Sequence, residues 1–149
     1  MASVVVDDHL LRDILSGERT PDLDGLAPEG VATTGLWLFR LCSSLADPEV
    51  AGKLSQPVVG LPSDVQDRFR AHLTALPDEI ELLPMRELSW MMAELQQRHR
   101  SQGRGMSAAM VEGLAAAHRL NAGIAVSTHD IGSNLRDSAK ADGIPFHVL

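Results

Sequence analysis

The sequence contains few cysteines and few aromatic residues. Among its 149 residues it has one cysteine, Cys42, no tyrosine, three phenylalanines and two tryptophans. A single cysteine excludes an intramolecular disulfide framework and any metal site built from several cysteines. So few aromatic side chains argue against a platform on which successive bases of a single nucleic-acid strand stack.

Long apolar runs and an excess of basic residues are also missing. No apolar stretch approaches the roughly 20 residues of a membrane-spanning helix, and Met1 is not followed by a basic segment and an apolar leader region. We therefore expect a soluble, cytoplasmic protein with no membrane partner. The formal net charge of −7 argues against a surface that holds nucleic acid over its whole extent. A local basic patch beside an acidic site stays compatible with this charge.

Short apolar segments alternate with helical patterns along the chain. The predicted strands are 4–6, 31–34, 80–83, 124–127 and 145–149. Helices are predicted after Leu10, over 36–45, from a capping box at Ser63 and Gln66, over 88–95, after a cap at Ser107, and over 135–141. Segments 21–30 and 47–62, rich in proline and glycine, are predicted to be irregular. This alternation predicts one α/β domain, residues 1–149, with a parallel sheet covered by helices on both faces.

Acidic residues follow two of the predicted strands. Asp7 and Asp8 come directly after the first strand, and Asp130 follows strand 124–127. Glu112 lies in the first turns of the helix that leads into that strand. In open α/β sheets ligands bind outside the carboxyl ends of the strands, so these carboxylates would share one crevice if the two strands are neighbours. Clustered carboxylates repel one another unless a cation neutralises them, and such hard oxygen ligands suit Mg²⁺ or Mn²⁺.

Three segments together resemble the PIN domain family. The opening Val-Val-Val-Asp-Asp-His-Leu-Leu, residues 4–11, is similar to the first strand and acid of that family. Residues 112–130 resemble its most recognisable stretch, in which an acid opens a helix with a small Ala-Ala face, a glycine ends it, and a strand delivers Thr-x-Asp. The closing Gly-Ile-Pro-Phe-His-Val-Leu, residues 143–149, is similar to the end of the family's domain.

The resemblance implies a fold, an activity and a set of site residues. The fold is a three-layer α/β/α sandwich, and the typical activity is metal-dependent cleavage of RNA. Many members are toxins of VapBC-type toxin–antitoxin pairs, which implies an antitoxin partner and often a homodimer. By position, Asp7, Glu112 and Asp130 correspond to acids that bind the metal and carry catalysis. Glu112 stands where the family usually has aspartate, which lengthens the side chain by one methylene.

One family acid has no counterpart at the expected position. The second acid of the family, a glutamate on the helix after the second strand, falls near Arg40. Three interpretations remain open. The site keeps metal and nuclease activity, with Asp8 substituting for the missing acid. Alternatively, Arg40 pairs with Asp7 or Glu112 in a catalytically silent domain that binds a protein or RNA partner. In the third interpretation Arg40 faces away, and Asp47 or Glu49 supplies the acid.

Other residues are weaker candidates. His9 and Thr128 stand close to the expected acids and either contact the metal shell or stabilise their turns. The basic run Arg98, Arg100 and Arg104 is predicted either to hold RNA at the rim of the crevice or to be a solvated helix end. The apolar stripe over 88–95 is compatible with core packing or with a homodimer face.

Overall fold

The computed structural model describes residues 4–18, 21–47, 49, 52–128 and 132–149. Its strands are β1 (Val4–Val6), β2 (Val31–Thr34), β3 (Ile80–Leu83), β4 (Gly123–Val126) and β5 (Phe146–Val148). Its helices are α1 (Asp8–Ser16), α2 (Pro21–Leu26), α3 (Gly35–Ala46), α4 (Gln56–Val59), α5 (Ser63–Thr74), α6 (Met85–Ser101), α7 (Ala108–Leu120) and α8 (Ser133–Ala141). Within these ranges no helix is long and apolar enough to cross a membrane.

The strands form one parallel sheet in the order β3-β2-β1-β4-β5. Val5 at the centre of the sheet is paired with Ala32 on one side and with Ile124 on the other. The predicted α/β fold is confirmed, and β1 and β4 are neighbours, as a shared acidic crevice requires. Because all strands run the same way, the segments that follow them gather at one edge of the sheet.

The sheet separates two apolar cores. Val5 packs with residues of α6, α7 and α8 on one face. Val4 and Val6 point to the other face, where they pack with residues of α1 and α5. Alternate residues of a strand point to opposite faces, so a strand buried on both sides reads as the continuous apolar run Val-Val-Val. The result is the expected sandwich of helices, sheet and helices.

Two segments predicted to be irregular contain short helices. Pro21 opens α2, and Pro57 lies in the first turn of α4. Proline is tolerated in the first turn because the amide it lacks would have had no helical partner. The predicted capping box of α5 is also wrong. Pro62 is the N-cap, and the Gln66 side chain donates instead to the carbonyls of Val59 and Leu61.

The apolar stripe of α6 belongs to the core. Leu88 and Leu95 are buried, and Met91 and Met92 pack partly buried against the same cluster. Core packing, one of the two interpretations of this stripe, therefore accounts for Leu88 and Leu95, and a homodimer stays a prediction. Trp90 points outward from the same helix and is 78% exposed.

A glycine allows α7 to approach α3 closely. A Cβ atom built at Gly113 would lie 2.6 Å from Cζ3 of the buried Trp37 ring. No real Cβ comes so close to a ring, so Gly113→Ala forces the indole or the helix to move. This approach also brings the neighbouring Glu112 to the first turn of α3.

We expect Gly113→Ala to lower the free energy of unfolding by about 1–3 kcal/mol, the usual cost of overpacking. Gly25→Ala is the matched control, because this helical glycine has nothing within 4 Å of the added Cβ. The control should be neutral or stabilising by up to about 1 kcal/mol through helix propensity. Urea unfolding followed by circular dichroism measures both variants, and equal effects would contradict the packing argument.

Candidate acidic site

Asp7 connects the ends of two neighbouring strands. It follows β1 and is the N-cap of α1, where its Oδ1 accepts a hydrogen bond from the Leu10 amide at 2.9 Å. Its Oδ2 accepts from the amide of Ser127, the residue after β4, at 3.1 Å. The side chain is buried, with the residue 2% exposed. Both oxygens are thus held in fixed directions by backbone donors.

Glu112 reaches the same edge of the sheet from α7. It is completely buried, and its Oε1 accepts a hydrogen bond from the Leu36 amide in the first turn of α3, at 2.8 Å. Its Oε2 is buried and has no hydrogen-bond partner among the residues that the structure describes. Leaving a buried carboxylate oxygen without a donor is costly. The geometry therefore leaves one oxygen available to a cation.

Asp8 and Arg40 form an ion pair beside these acids. Asp8 is completely buried, and its Oδ2 lies 3.3 Å from Nε of Arg40 on α3. The other oxygen, Oδ1, accepts from the amide of His9 at 3.0 Å. The prediction that Arg40 would pair with Asp7 or Glu112 did not name this partner correctly, although Arg40 does face the acidic edge.

Asp47 and Glu49 lie at the far end of α3. Asp47 is the C-cap of that helix and accepts a hydrogen bond from the Glu49 amide at 3.0 Å, and both residues are exposed. They are separated from Leu36 by about 16 Å of helix. The interpretation in which one of them replaces the missing acid is therefore wrong.

The predicted third acid, Asp130, lies outside the described residues, as does His129. Within the described ranges, no three His, Cys, Asp or Glu side chains form a group that could hold a metal. The described part of the site thus contains two of the three predicted acids, Asp7 and Glu112, both of them buried. The Asp8–Arg40 ion pair lies beside them.

Two solved structures resemble this architecture over almost the whole chain. FitAB bound to an IR36 DNA fragment matches with a TM-score of 0.58 and 14% identity, covering 97% of this chain and 94% of that chain. FitAcB from Neisseria gonorrhoeae matches with a TM-score of 0.57 and 16% identity, covering 97% and 96%. The fold is PIN-like. No family model and no curated protein matches the sequence.

His9 and Thr128 flank the acids of this PIN-like fold in different ways. His9 is buried, and its Nδ1 lies 3.2 Å from Nη1 of Arg12. A guanidinium has only donors, so Nδ1 is the acceptor in this contact. Thr128 is exposed and its amide donates to the Leu149 carbonyl at 3.2 Å, which ties the end of β4 to the C-terminus.

The basic run lies elsewhere on the PIN-like fold. Arg98 binds both oxygens of Asp142, at 2.7 and 3.0 Å, and Nε of Arg104 donates to Nδ1 of His99 at 3.0 Å. Asp142 follows α8 and precedes β5, so this cluster is at the amino ends of the strands. Arg98 and Arg100 lie in the last turn of α6, whereas Arg104 follows that helix. The pairing of Arg98 with Asp142 favours the interpretation of this run as a helix end, and RNA binding by Arg98, Arg100 and Arg104 stays a prediction.

The Asp142 cluster was not predicted from the sequence. Besides Arg98, Asp142 accepts hydrogen bonds from Nε2 of His99 at 3.1 Å and from Nε2 of His118 at 2.8 Å. Burial raises the pKa of Asp142, but the hydrogen bonds from Arg98, His118 and His99 outweigh burial and hold it well below its usual range. The cluster joins the C-terminal ends of α6, α7 and α8. No spacing along the chain indicates it, because its members come from separate helices.

Proposed function

We propose that this protein is a metal-dependent endoribonuclease of PIN type. The observation that carries the proposal is the carboxylate of Glu112, which is fully buried with Oε2 lacking a hydrogen bond among the described residues. A buried charge is stable only when it is paired or coordinates a metal. A divalent cation at this oxygen would supply the missing partner.

The chemistry of the predicted acids suits Mg²⁺ or Mn²⁺. We propose that Asp7, Glu112 and Asp130 hold the ion, since carboxylate oxygens are the ligands that these hard cations prefer. Asp7 already accepts two backbone hydrogen bonds, but a carboxylate has about four lone-pair sites and can accept more. When bound, such a metal activates a water and stabilises the charge that develops on a phosphodiester.

The chain itself contributes preorganisation. The Leu10 and Ser127 amides fix the carboxylate of Asp7, and the Leu36 amide fixes that of Glu112. These donors leave little freedom to either side chain before a ligand arrives. Orienting groups in advance is a main source of rate enhancement in phosphoryl transfer.

We further propose that the protein is the toxin half of a toxin–antitoxin pair. The resemblance of its sequence to VapBC-type toxins and the fold shared with FitAB and FitAcB support this assignment. An antitoxin protein and RNA would then be its partners, and a second copy of the chain is a further candidate. Co-expression with the product of a small adjacent gene tests the antitoxin directly.

Metal binding tests the proposed function. We expect Mn²⁺ titrated into the protein by calorimetry to bind, and Glu112→Gln to weaken that binding at least about tenfold, the scale on which supporting groups affect metal affinity. Glutamine keeps an acceptor for the Leu36 amide and removes the charge. Cleavage of a labelled single-stranded RNA in Mn²⁺ should fall in parallel.

Glu81→Gln is the matched control, because Glu81 is exposed on β3, the edge strand farthest from β4 and β5 in the strand order. It should change neither the Mn²⁺ affinity nor the cleavage rate. Cleavage that persists in EDTA, or equal Mn²⁺ binding by Glu112→Gln and the parent protein, would contradict the proposal.

The ion pair between Arg40 and Asp8 favours a second candidate, a catalytically silent PIN-like domain that binds a protein or RNA. A guanidinium 3.3 Å from a buried carboxylate places a fixed cation beside the acids. On this alternative the parent protein binds no Mn²⁺ at millimolar concentration, whereas Arg40→Glu binds it. Mn²⁺ binding by the parent protein would contradict the silent domain and support the nuclease.

A further inference from the structure

A cavity opens directly beside the acidic site, between α1, α3 and the segment before α4. Its volume is about 510 Å³, which is within the range of small-molecule sites. Its lining includes an imidazole, a phenyl ring, two cations, a hydroxyl and an aliphatic side chain: His9, Phe39, Arg40, Ser43, Lys53 and Leu54. The proposed nuclease function does not use this cavity.

The cavity shares residues with the acidic site. Arg40 lines it and contacts Asp8 at 3.3 Å, and His9 is the next residue after Asp8. A ligand in the cavity would therefore lie next to a substrate group held by the acids. This continuity links the cavity to whatever the acidic site binds.

Phe39 lines this space with an exposed aromatic ring. It is 65% exposed although it lies on a helix between the buried Trp37 and Leu41. Exposing a large apolar side chain to water forgoes the free energy that its burial would contribute. An exposed ring in the wall of a cavity is instead typical of a stacking surface.

The opposite wall is fixed by a buried arginine. Nη1 of Arg12 donates to the carbonyls of Lys53 and Leu54, both at 3.2 Å, while its Nη2 pairs with Asp13 at 2.7 Å. Arg12 is only 6% exposed. The segment that carries Lys53 is thus tied to α1, so the distance between the two walls is set before a ligand binds.

We propose that this cavity binds one unpaired nucleotide of an RNA strand, with its base stacked on Phe39 and its phosphate near Lys53 and Arg40. The proposal rests on the nuclease function proposed above and names the form of its substrate, which is single-stranded at the subsite. Lys53 and Arg40, whose side chain stays 46% exposed beside its partner Asp8, place positive charge next to an aromatic ring. This combination is complementary to a phosphate and a base. A single ring can stack with a single base, so this subsite does not need the many aromatic residues that the sequence lacks.

The test measures RNA binding without cleavage. A fluorescein-labelled single-stranded RNA of about ten nucleotides is titrated by anisotropy with the full-length protein in EDTA at low ionic strength. We expect Phe39→Ala to weaken binding about 5- to 100-fold, the loss of one stacked base, and Phe39→Trp to retain it. The RNA should also quench the tryptophan fluorescence of Phe39→Trp more strongly than that of the parent protein.

Trp90→Ala is the matched control, since it removes a ring that is exposed on α6 and absent from the cavity lining. It should leave the RNA affinity unchanged. Lys53→Ala should weaken binding and reduce its salt dependence, because one phosphate contact is lost. A duplex of the same sequence should bind equally to the parent protein and to Phe39→Ala.

The outcomes separate this inference from the nuclease. No RNA binding by the parent protein, or equal affinities of Phe39→Ala and Trp90→Ala, overturns the nucleotide subsite even if Mn²⁺-dependent cleavage is observed. Loss of a co-purifying protein partner from Phe39→Ala with unchanged RNA affinity overturns it in favour of a protein-docking site. Binding that depends on Phe39 without any cleavage supports the subsite and rejects the nuclease.

Discussion

Replacing Asp7 with asparagine is expected to reduce Mn²⁺-dependent RNA cleavage at least about 100-fold, because the change removes a charged ligand of the proposed metal. Single-turnover cleavage of a labelled RNA at saturating Mn²⁺ measures the effect. Asp7 follows the central strand, and its two oxygens accept hydrogen bonds from the amides of Leu10 and Ser127, which fix the carboxylate in place.

The same substitution has a structural cost that must be separated from the catalytic one. Asparagine keeps an oxygen for the Leu10 amide, since it is as good an N-cap as aspartate. Its amide group would then meet the Ser127 N–H, a donor against a donor. We expect this mismatch to cost about 1–3 kcal/mol and to lower the melting temperature by about 2–4 °C per kcal/mol.

Asp64→Asn is the control for the loss of an acid. Asp64 is 78% exposed at the start of α5 and lies 3.8 Å from Arg68, a surface pair that contributes little. Its cleavage rate should equal that of the parent protein. If Asp7→Asn, assayed well below its melting temperature, cleaves within a few fold of the parent protein, Asp7 does not bind a catalytic metal.

The sheet and the position of Asp7 were predictable because they depend on local pattern. Three β-branched residues followed by Asp-Asp indicate a strand buried on both faces and a turn into a helix. Asp7 ends that strand and caps that helix, as this pattern requires. The helices α2 and α4 were missed because proline and glycine predict turns locally, whereas the tertiary structure stabilises short helices at those positions.

Partners across the fold could not be predicted in the same way. The Asp8–Arg40 pair depends on where α3 crosses α1. Asp7 and Asp8 are consecutive in the sequence, so the sequence alone does not say which of them Arg40 contacts. The contact of Glu112 with the Leu36 amide joins residues 76 positions apart. One wall of the cavity beside Phe39 likewise depends on a long-range contact, in which Arg12 bonds to the carbonyl of Lys53, 41 positions away.

Asp142→Ala is expected to lower the free energy of unfolding by about 3 kcal/mol, because it leaves the half-exposed Arg98, the buried His99 and the partly exposed His118 without their acceptor. The figure is at the low end of the usual range, since water screens Arg98, whose side chain is 48% exposed. Urea unfolding measures the loss. The melting temperature should fall by about 6–12 °C.

Asp137→Ala, on the helix α8 that Asp142 follows, is the matched control. Asp137 is half-exposed and lies 3.7 Å from Arg136, which is also half-exposed. Its removal should change the free energy of unfolding by less than about 0.5 kcal/mol. Equal losses of unfolding free energy in the two variants would show that the Asp142 cluster does not stabilise the fold.

The stabilisation by Asp142 should also disappear in acid. Its pKa is lowered in the folded protein, while in the unfolded chain it returns to about 3.9. The carboxylate therefore stabilises the fold fully above the unfolded value, and the contribution is lost as the pH falls toward the lower folded value. The difference between the parent protein and Asp142→Asn should shrink as the pH falls below about 4. A difference that grows on acidification would mean that Asp142 is not held ionised by Arg98 and the two histidines.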